Sequence, residues 1–238
     1  KDIEPIGILK LNEIESKKEN YFNLGIQSIK EGKVGAVLLA GGQGTRLGFD
    51  KPKGTCNIGL TKDRYIFEFL IENLMDVVKK AEAWVPLFIM TSQKNNDDTI
   101  SFFEEHKYFG YKKEYVFFFV QEMVPSVDYN GKIYMEEPWK ISMSPNGNGG
   151  WFKSMKNSGV LSRAKDLGVE WLNVFAVDNV LQKIADPYFI GATISAGLSA
   201  GAKVVKKASP AEKVGVVCRE NGRPSIVEYY ELTQEMMD

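Results

Sequence analysis

Five glycines, one arginine and two lysines stand within "GGQGTRLGFDKPKG" (41–54), directly after the apolar run "VGAVLLA" (34–40). Gly41, Gly42 and Gly44 carry no side chain, so successive backbone N–H groups there can converge on an anion. Arg46 offers a planar fork for phosphate oxygens, and Lys53 adds a compact charge a few residues later. Lys51 reads as a solvated neighbour. The chemistry implied is phosphate binding, but not by either of two common loops. The dinucleotide pattern G-x-G-x-x-G, laid on Gly42 and Gly44, needs a glycine where Leu47 stands. No Gly-Lys-Ser/Thr run completes a P-loop.

Other residues are weaker taken singly. Asp178 closes "NVFAVD" and suits either a cap of the following turn or a ligand for a hard cation. Gln121 closes "FFFVQ", where a polar residue fits an ordinary loop. "SPNGNGGWF" (144–152) is a second glycine-rich stretch, readable as a flexible turn. His106, in "FFEEHKYFG", is the single histidine and reads as a structural surface residue. Cys56 and Cys218 match no zinc spacing and suit a reducing cytoplasm.

The elements that must position these residues follow from hydrophobic periodicity. A surface helix is expected over 12–31, after an extended leading segment. Buried strands are expected at 33–40, 85–91, 115–121 and 169–179, with helices over 66–83 and 95–107, one or two through Leu167, and one over 188–201. Within 66–83, apolar residues recur at 67, 70, 71, 74, 77 and 78, which is helical spacing. "NNDD" supplies cap candidates for the helix at 95. "AKVVKK", "KVGVVCRE" and "SIVEYYE" read as later strands. Alternating strands and helices imply an α/β fold, a Rossmann-like three-layer α/β/α sandwich on a mostly parallel mixed sheet. Ligands in such folds bind beyond the carboxyl ends of the strands, where "GGQGTR", "QEM" and "VDN" would share one face.

Composition narrows the function further. The chain of 238 residues is 44% hydrophobic, enough for a sizeable core, and carries 30 Lys+Arg against 31 Asp+Glu. A formal net charge of −1 gives no general pull toward nucleic acid or an anionic membrane, so anion binding must be local. No apolar run reaches membrane-spanning length. The aromatic run "YVFFFV" lacks interleaved basic residues and reads as a buried strand.

"LLAGGQGTRLGFDKPKG", "IMTS", "FFEEHKYFG", "SMSPNGNGG", "VDNVLQKIADPYFIG", "GAKVV" and "VGVVCRENGRPSIVEYYE", in this order, resemble the UDP-N-acetylhexosamine pyrophosphorylases. The resemblance implies a nucleotide-diphospho-sugar transferase fold. It divides the chain into a leading segment with a surface helix (1–31) and a catalytic domain (32–238) that continues in family members. It also implies a uridylyltransferase using UTP and N-acetylglucosamine 1-phosphate, releasing UDP-N-acetylglucosamine and pyrophosphate, with Mg²⁺. Arg46 and Lys53 then serve at the phosphates, beside Gly41, Gly42, Gly44 and Thr45. Asp178 becomes the metal ligand, Gln121 reads the uracil edge, and Gly147 approaches the base. Asn148, Asn179, Gly215 and Glu228 fall on the sugar side, although Glu228 in an alternating segment also reads as an outward acid. Two alternatives stand beside this: a pyrophosphorylase for glucose or galactose 1-phosphate, and a non-catalytic uridine-nucleotide module. Cytoplasmic location, no nucleic acid and no membrane are expected.

Overall fold

A computed structural model of the chain describes residues 3–44 and 48–233. In chain order, β1 (Ile3–Pro5), α1 (Leu11–Ser16) and α2 (Lys18–Lys30) precede β2 (Val34–Leu39), α3 (Ile66–Ala81), β3 (Leu87–Thr91), α4 (Asn96–Glu105) and β4 (Val116–Val120). Short strands β5 (Met123–Pro125), β6 (Met135–Glu137), β7 (Lys140–Ile141) and β8 (Met143–Pro145) follow. Then come α5 (Trp151–Asn157), α6 (Val160–Asp166), β9 (Trp171–Ala176), α7 (Pro187–Ser195), β10 (Val216–Glu220) and β11 (Arg223–Val227).

The central sheet is parallel throughout, in the order β4-β3-β2-β9. Its alternating side chains feed two cores. Ala36 and Leu38 of β2, with Leu87 and Ile89 of β3, pack with Phe67, Leu70, Ile71 and Leu74 of α3. Val37, Phe88, Met90 and Phe119 point the other way, onto Met155 of α5 and Ala164 of α6. Burial on both faces explains why β2 and β3 are continuous apolar runs rather than alternating ones. The result is the expected three-layer sandwich. From β2 the chain moves outward to β3 and β4, then returns to place β9 on the other flank of β2. The strand order therefore reverses between β2 and β9, and in such sheets the crevice for a ligand lies above the carboxyl ends at that point.

A second, antiparallel sheet orders β1-β10-β11, with Glu4 opposite Arg219. At the crossing of α2 and α7 the backbones nearly touch: a Cβ on Gly25 would lie 1.9 Å from the Pro187 carbonyl oxygen, and one on Gly191 1.8 Å from that of Tyr21. Asp186 caps α7 by accepting from Tyr188 N–H, and Pro187 occupies the first turn, where its missing N–H costs nothing.

Several expectations are corrected. The single helix over 12–31 is two helices separated at Lys17, whose ψ of 13° departs from helical geometry. The helix expected through 201 ends at Ser195, with Gly197 in the left-handed region at φ 64°. "AKVVKK" (202–207) forms no strand; Val204 and Val205 are exposed, and no ladder among the described residues takes up their backbone. "KVGVVCRE" and "SIVEYYE" do contribute strands, as the antiparallel pair β10 and β11. No helix among the described residues is long and apolar enough to cross a membrane.

Candidate active site

The site is built from the three carboxyl-end segments that follow β2, β4 and β9. After Leu39 the chain turns through the glycines and returns as a short antiparallel pairing of Gln43 with Pro52. Gly44 N–H donates to the Lys51 carbonyl and Lys53 N–H to that of Gly42, at 3.0 and 3.3 Å. Lys53 then opens a tight 3₁₀ turn to Thr55 that rests on α3. Gly54 is required there: a Cβ would stand 2.2 Å from the Phe67 ring.

Lys53 reaches across the crevice to Asp178. Its Nζ lies 2.5 Å from Oδ1, joining residues 125 positions apart. The lysine is 20% exposed and the carboxylate 63%, so the pair sits at the crevice mouth with its acid toward solvent. The segment bearing Asp178 is held from below by amides. Gln182 Nε2 donates to the Ala176 carbonyl, Asn173 Oδ1 accepts from Ala185 N–H, and Asn73 of α3 bonds both the Gln182 carbonyl and Ile184 N–H. Ala185, buried and at φ 47°, is the strained residue of this bend.

Gln121 lies beside the first glycine. A Cβ on Gly41 would fall 2.5 Å from its Nε2, so the missing side chain is the space that the amide occupies. Gln121 is buried, with its backbone N–H tied to the Thr91 carbonyl. The next residue, Glu122, anchors the second glycine-rich loop. Its carbonyl accepts from Asn146 N–H, its N–H donates to Ser154 Oγ, and its carboxylate pairs with Lys153 and accepts from Asn157. The Lys153 hydrogen bond, followed by that of Asn157, holds the Glu122 carboxyl below the ordinary carboxylate range. Gly147 follows at φ 73° and Asn148 starts an exposed turn.

The structure thus brings Gly41, Gly42, Gly44, Lys53, Gln121 and Asp178 to one rim, with the Gly147–Asn148 loop attached through Glu122. Asn179 continues from Asp178, its N–H 3.4 Å from the Ala176 carbonyl. Gly215 and Glu228 form a separate pair just beyond the ends of β10 and β11, where a Cβ at 215 would lie 3.4 Å from Glu228 Oε2. No hydrogen bond or ion pair among the described residues links that pair to Lys53 or Asp178. Thr45 and Arg46 lie outside the described residues.

For a metal, the donor set is one exposed carboxylate. No cluster of three or more His, Cys, Asp or Glu side chains suited to a metal occurs among the described residues. That suits a hydrated hard cation completed by phosphate oxygens, not a protein-caged one.

One polar residue read from sequence as a helix cap does something else. Asn95, fully buried, makes no side-chain bond to the first turn of α4. Its amide donates to the Ala40 and Gly42 carbonyls and accepts from Ser92 N–H. His106 has the structural setting expected of it, half-buried, with Nδ1 2.8 Å from the Phe102 carbonyl and its ring against Tyr65, Phe102 and Phe109.

A parallel sheet whose strand order reverses beneath a glycine-rich loop is a Rossmann-like nucleotide-binding arrangement. The family model described as UTP–glucose-1-phosphate uridylyltransferase matches residues 3–238, and the chain belongs to that family. It is 40% identical over 228 residues to the UDP-N-acetylglucosamine pyrophosphorylase of Saccharomyces cerevisiae, covering 94% of this chain and 48% of that protein. It is 39% identical over 251 residues to UDP-N-acetylglucosamine diphosphorylase 2 of Arabidopsis thaliana, covering 98% and 50%. The crystal structure of the uridine diphosphate N-acetylglucosamine pyrophosphorylase of Trypanosoma brucei, in complex with an inhibitor, superposes with a TM-score of 0.89 at 34% identity, covering 97% of this chain and 50% of that one. The UDP-glucose pyrophosphorylase of Leishmania major shares the fold at 16% identity, with a TM-score of 0.69, covering 99% of this chain and 50% of that one. The chain spans about half the length of the relatives it matches.

Proposed function

We propose that this chain carries the nucleotide side of a uridylyltransferase site that forms UDP-N-acetylglucosamine and pyrophosphate from UTP and N-acetylglucosamine 1-phosphate. The observation that carries the reading is the meeting of Lys53 and Asp178 at the crevice between β2 and β9. A basic loop and a lone carboxylate, 125 residues apart, converge where a triphosphate and its cation would have to lie. The names of the relatives support the choice of N-acetylglucosamine over glucose.

In the proposed reaction an oxygen of the sugar phosphate attacks the α-phosphorus of UTP in line. The new P–O bond forms as the bond from the α-phosphorus to the bridging oxygen breaks, and pyrophosphate departs with that electron pair. No side-chain nucleophile is required, so the protein aligns the reactants and stabilises charge. Lys53 serves the α-phosphate once released from Asp178. Arg46 serves the phosphates that leave, and the Gly41–Gly44 loop, with Thr45, lines their path. Gln121 offers donor and acceptor together, as the uracil imide demands, with Gly147 close to the base. Asn148, Asn179, Gly215 and Glu228 are proposed for the sugar. Asp178 would hold Mg²⁺, which when bound neutralises phosphate charge. The setting proposed is the cytoplasm, where Cys56 and Cys218 remain free thiols.

Magnesium-dependent pyrophosphate release from UTP plus N-acetylglucosamine 1-phosphate, measured on this chain and on a longer version, tests the proposal. Arg46→Ala and Asp178→Ala should each lower turnover by more than about a hundredfold, the usual size of a lost electrostatic stabiliser. UTP binding without release in either version would leave a nucleotide-binding module instead.

A further inference from the structure

We infer that Asn95 is a positioning residue that sets the Gly41–Gly44 loop to present its backbone N–H groups to phosphate. The inference rests on the uridylyl-transfer reading of that loop. The regular parallel ladder fixes where its next rung should fall. Leu39 pairs with Met90, and Ala40 N–H donates to the Met90 carbonyl. By the alternation of a parallel pair, the following bond would run from Ser92 N–H to the Ala40 carbonyl.

The Asn95 carboxamide occupies that rung. Ser92 N–H donates to its Oδ1 at 2.7 Å, and its Nδ2 donates to the Ala40 carbonyl at 3.0 Å. The second Nδ2 proton goes to the Gly42 carbonyl at 3.3 Å. The amide therefore wedges between β2 and β3 at their carboxyl ends, fully buried, with its donor and acceptor sides both used.

The consequence follows from peptide planarity. In a trans peptide the N–H points opposite to the preceding C=O. With the Ala40 and Gly42 carbonyls drawn toward Asn95, the N–H groups of Gly41 and Gln43 are turned away from it. Among the described residues no acceptor takes the N–H of Gly41, Gly42 or Gln43, whereas Gly44 N–H is spent on Lys51. The N–H groups of Gly41, Gly42 and Gln43, on the loop that Lys53 N–H ties to Gly42, thus carry no acceptor among the described residues and are donors an anion could take. Only a carboxamide supplies this arrangement. Aspartate would set an oxygen against two carbonyls, and serine is too short to span the rung.

The test is calorimetric titration of wild type, Asn95→Ala and Asn95→Asp with UTP, inorganic tripolyphosphate and uridine, beside thermal unfolding of each. Both variants should bind UTP and tripolyphosphate at least about tenfold more weakly, the size of one lost hydrogen-bond set. Uridine affinity should stay within about twofold, because the base contacts do not depend on the rung. A general loss of structure would weaken all three ligands together. In Asn95→Asp the loss should shrink, relative to wild type, as pH falls from about 8 to about 5, where a buried carboxyl regains its proton and can donate again. Unchanged tripolyphosphate affinity in folded variants overturns the inference, as does a wild type that binds no tripolyphosphate. A wild type that binds tripolyphosphate through Asn95 but discriminates against UTP would sink the uridylyl-transfer reading and leave the positioning role standing.

Discussion

At the scale of the residue, the base reading proposed for Gln121 hangs on an absence. Gly41 has no Cβ, and Gln121 fills that space at a distance of 2.5 Å from where one would stand. Gly41→Ala should therefore push the Gln121 amide out of register while leaving Lys53 and Asp178 alone. The expected result is a fall in the preference for UTP over CTP, measured as a ratio of dissociation constants, without loss of the fold. Gln121→Ala should flatten the same ratio by removing the proposed reader itself. An unchanged ratio in both would remove Gln121 from base recognition. Glu122, next in the chain, carries a titration of its own. Its folded pKa is lowered, first by the Lys153 hydrogen bond and then by Asn157. Stabilisation from that carboxylate is present above its unfolded pKa and fades as pH falls through the lower folded value. Carbon-detected NMR titration of the Glu122 carboxyl should show the midpoint rising in Lys153→Ala, and an unmoved midpoint would assign the shift elsewhere.

At the scale of the element, what was legible in the sequence is what local pattern determines. The apolar run of β2, buried on both faces, and the helical spacing of α3 mark their elements directly. "AKVVKK" misleads because branched residues make a strand only when a ladder is available to them, and Val205 stands 93% exposed without one. The phosphate role proposed for the loop after β2 is argued from its own composition. Asn95 offered no such signal, because its role depends on a contact with Ala40, 55 residues earlier. Gly25 and Gly191 were silent for the same reason, since neither sits at a turn. Their function is the close crossing of α2 and α7, where the obstructing atoms are backbone carbonyls that cannot rotate aside. Replacing glycine by alanine within a helix ordinarily gains about 1 kcal/mol of propensity. Here overpacking costs about 1–3 kcal/mol or more, so the clash should prevail. Gly25→Ala and Gly191→Ala should both lower the urea midpoint at unchanged m-value, and a raised midpoint would mean the helices can separate without penalty.

At the scale of the whole molecule, the central sheet ends on β9, which pairs with β2 on one side and with no other strand among the described residues on the other. Edge strands with accessible apolar side chains are templates for pairing between chains. Val174 on β9 is partly exposed, and Val204 and Val205 are exposed after α7. A formal net charge of −1 gives copies of the chain little mutual repulsion at pH 7. The 238-residue chain taken by itself should therefore self-associate more as concentration rises, and resist added salt, because the attraction is apolar and backbone-directed instead of ionic. Val174→Lys places a charge on the edge, the device natural sheets use against such pairing, and should lower the weight-average mass seen by light scattering. UTP binding should be unaffected, since residue 174 lies within the strand and four positions before Asp178. A variant that associates as strongly as wild type would shift the cause from the β9 edge to the exposed valines of 202–207, which Val204→Lys with Val205→Lys would then relieve.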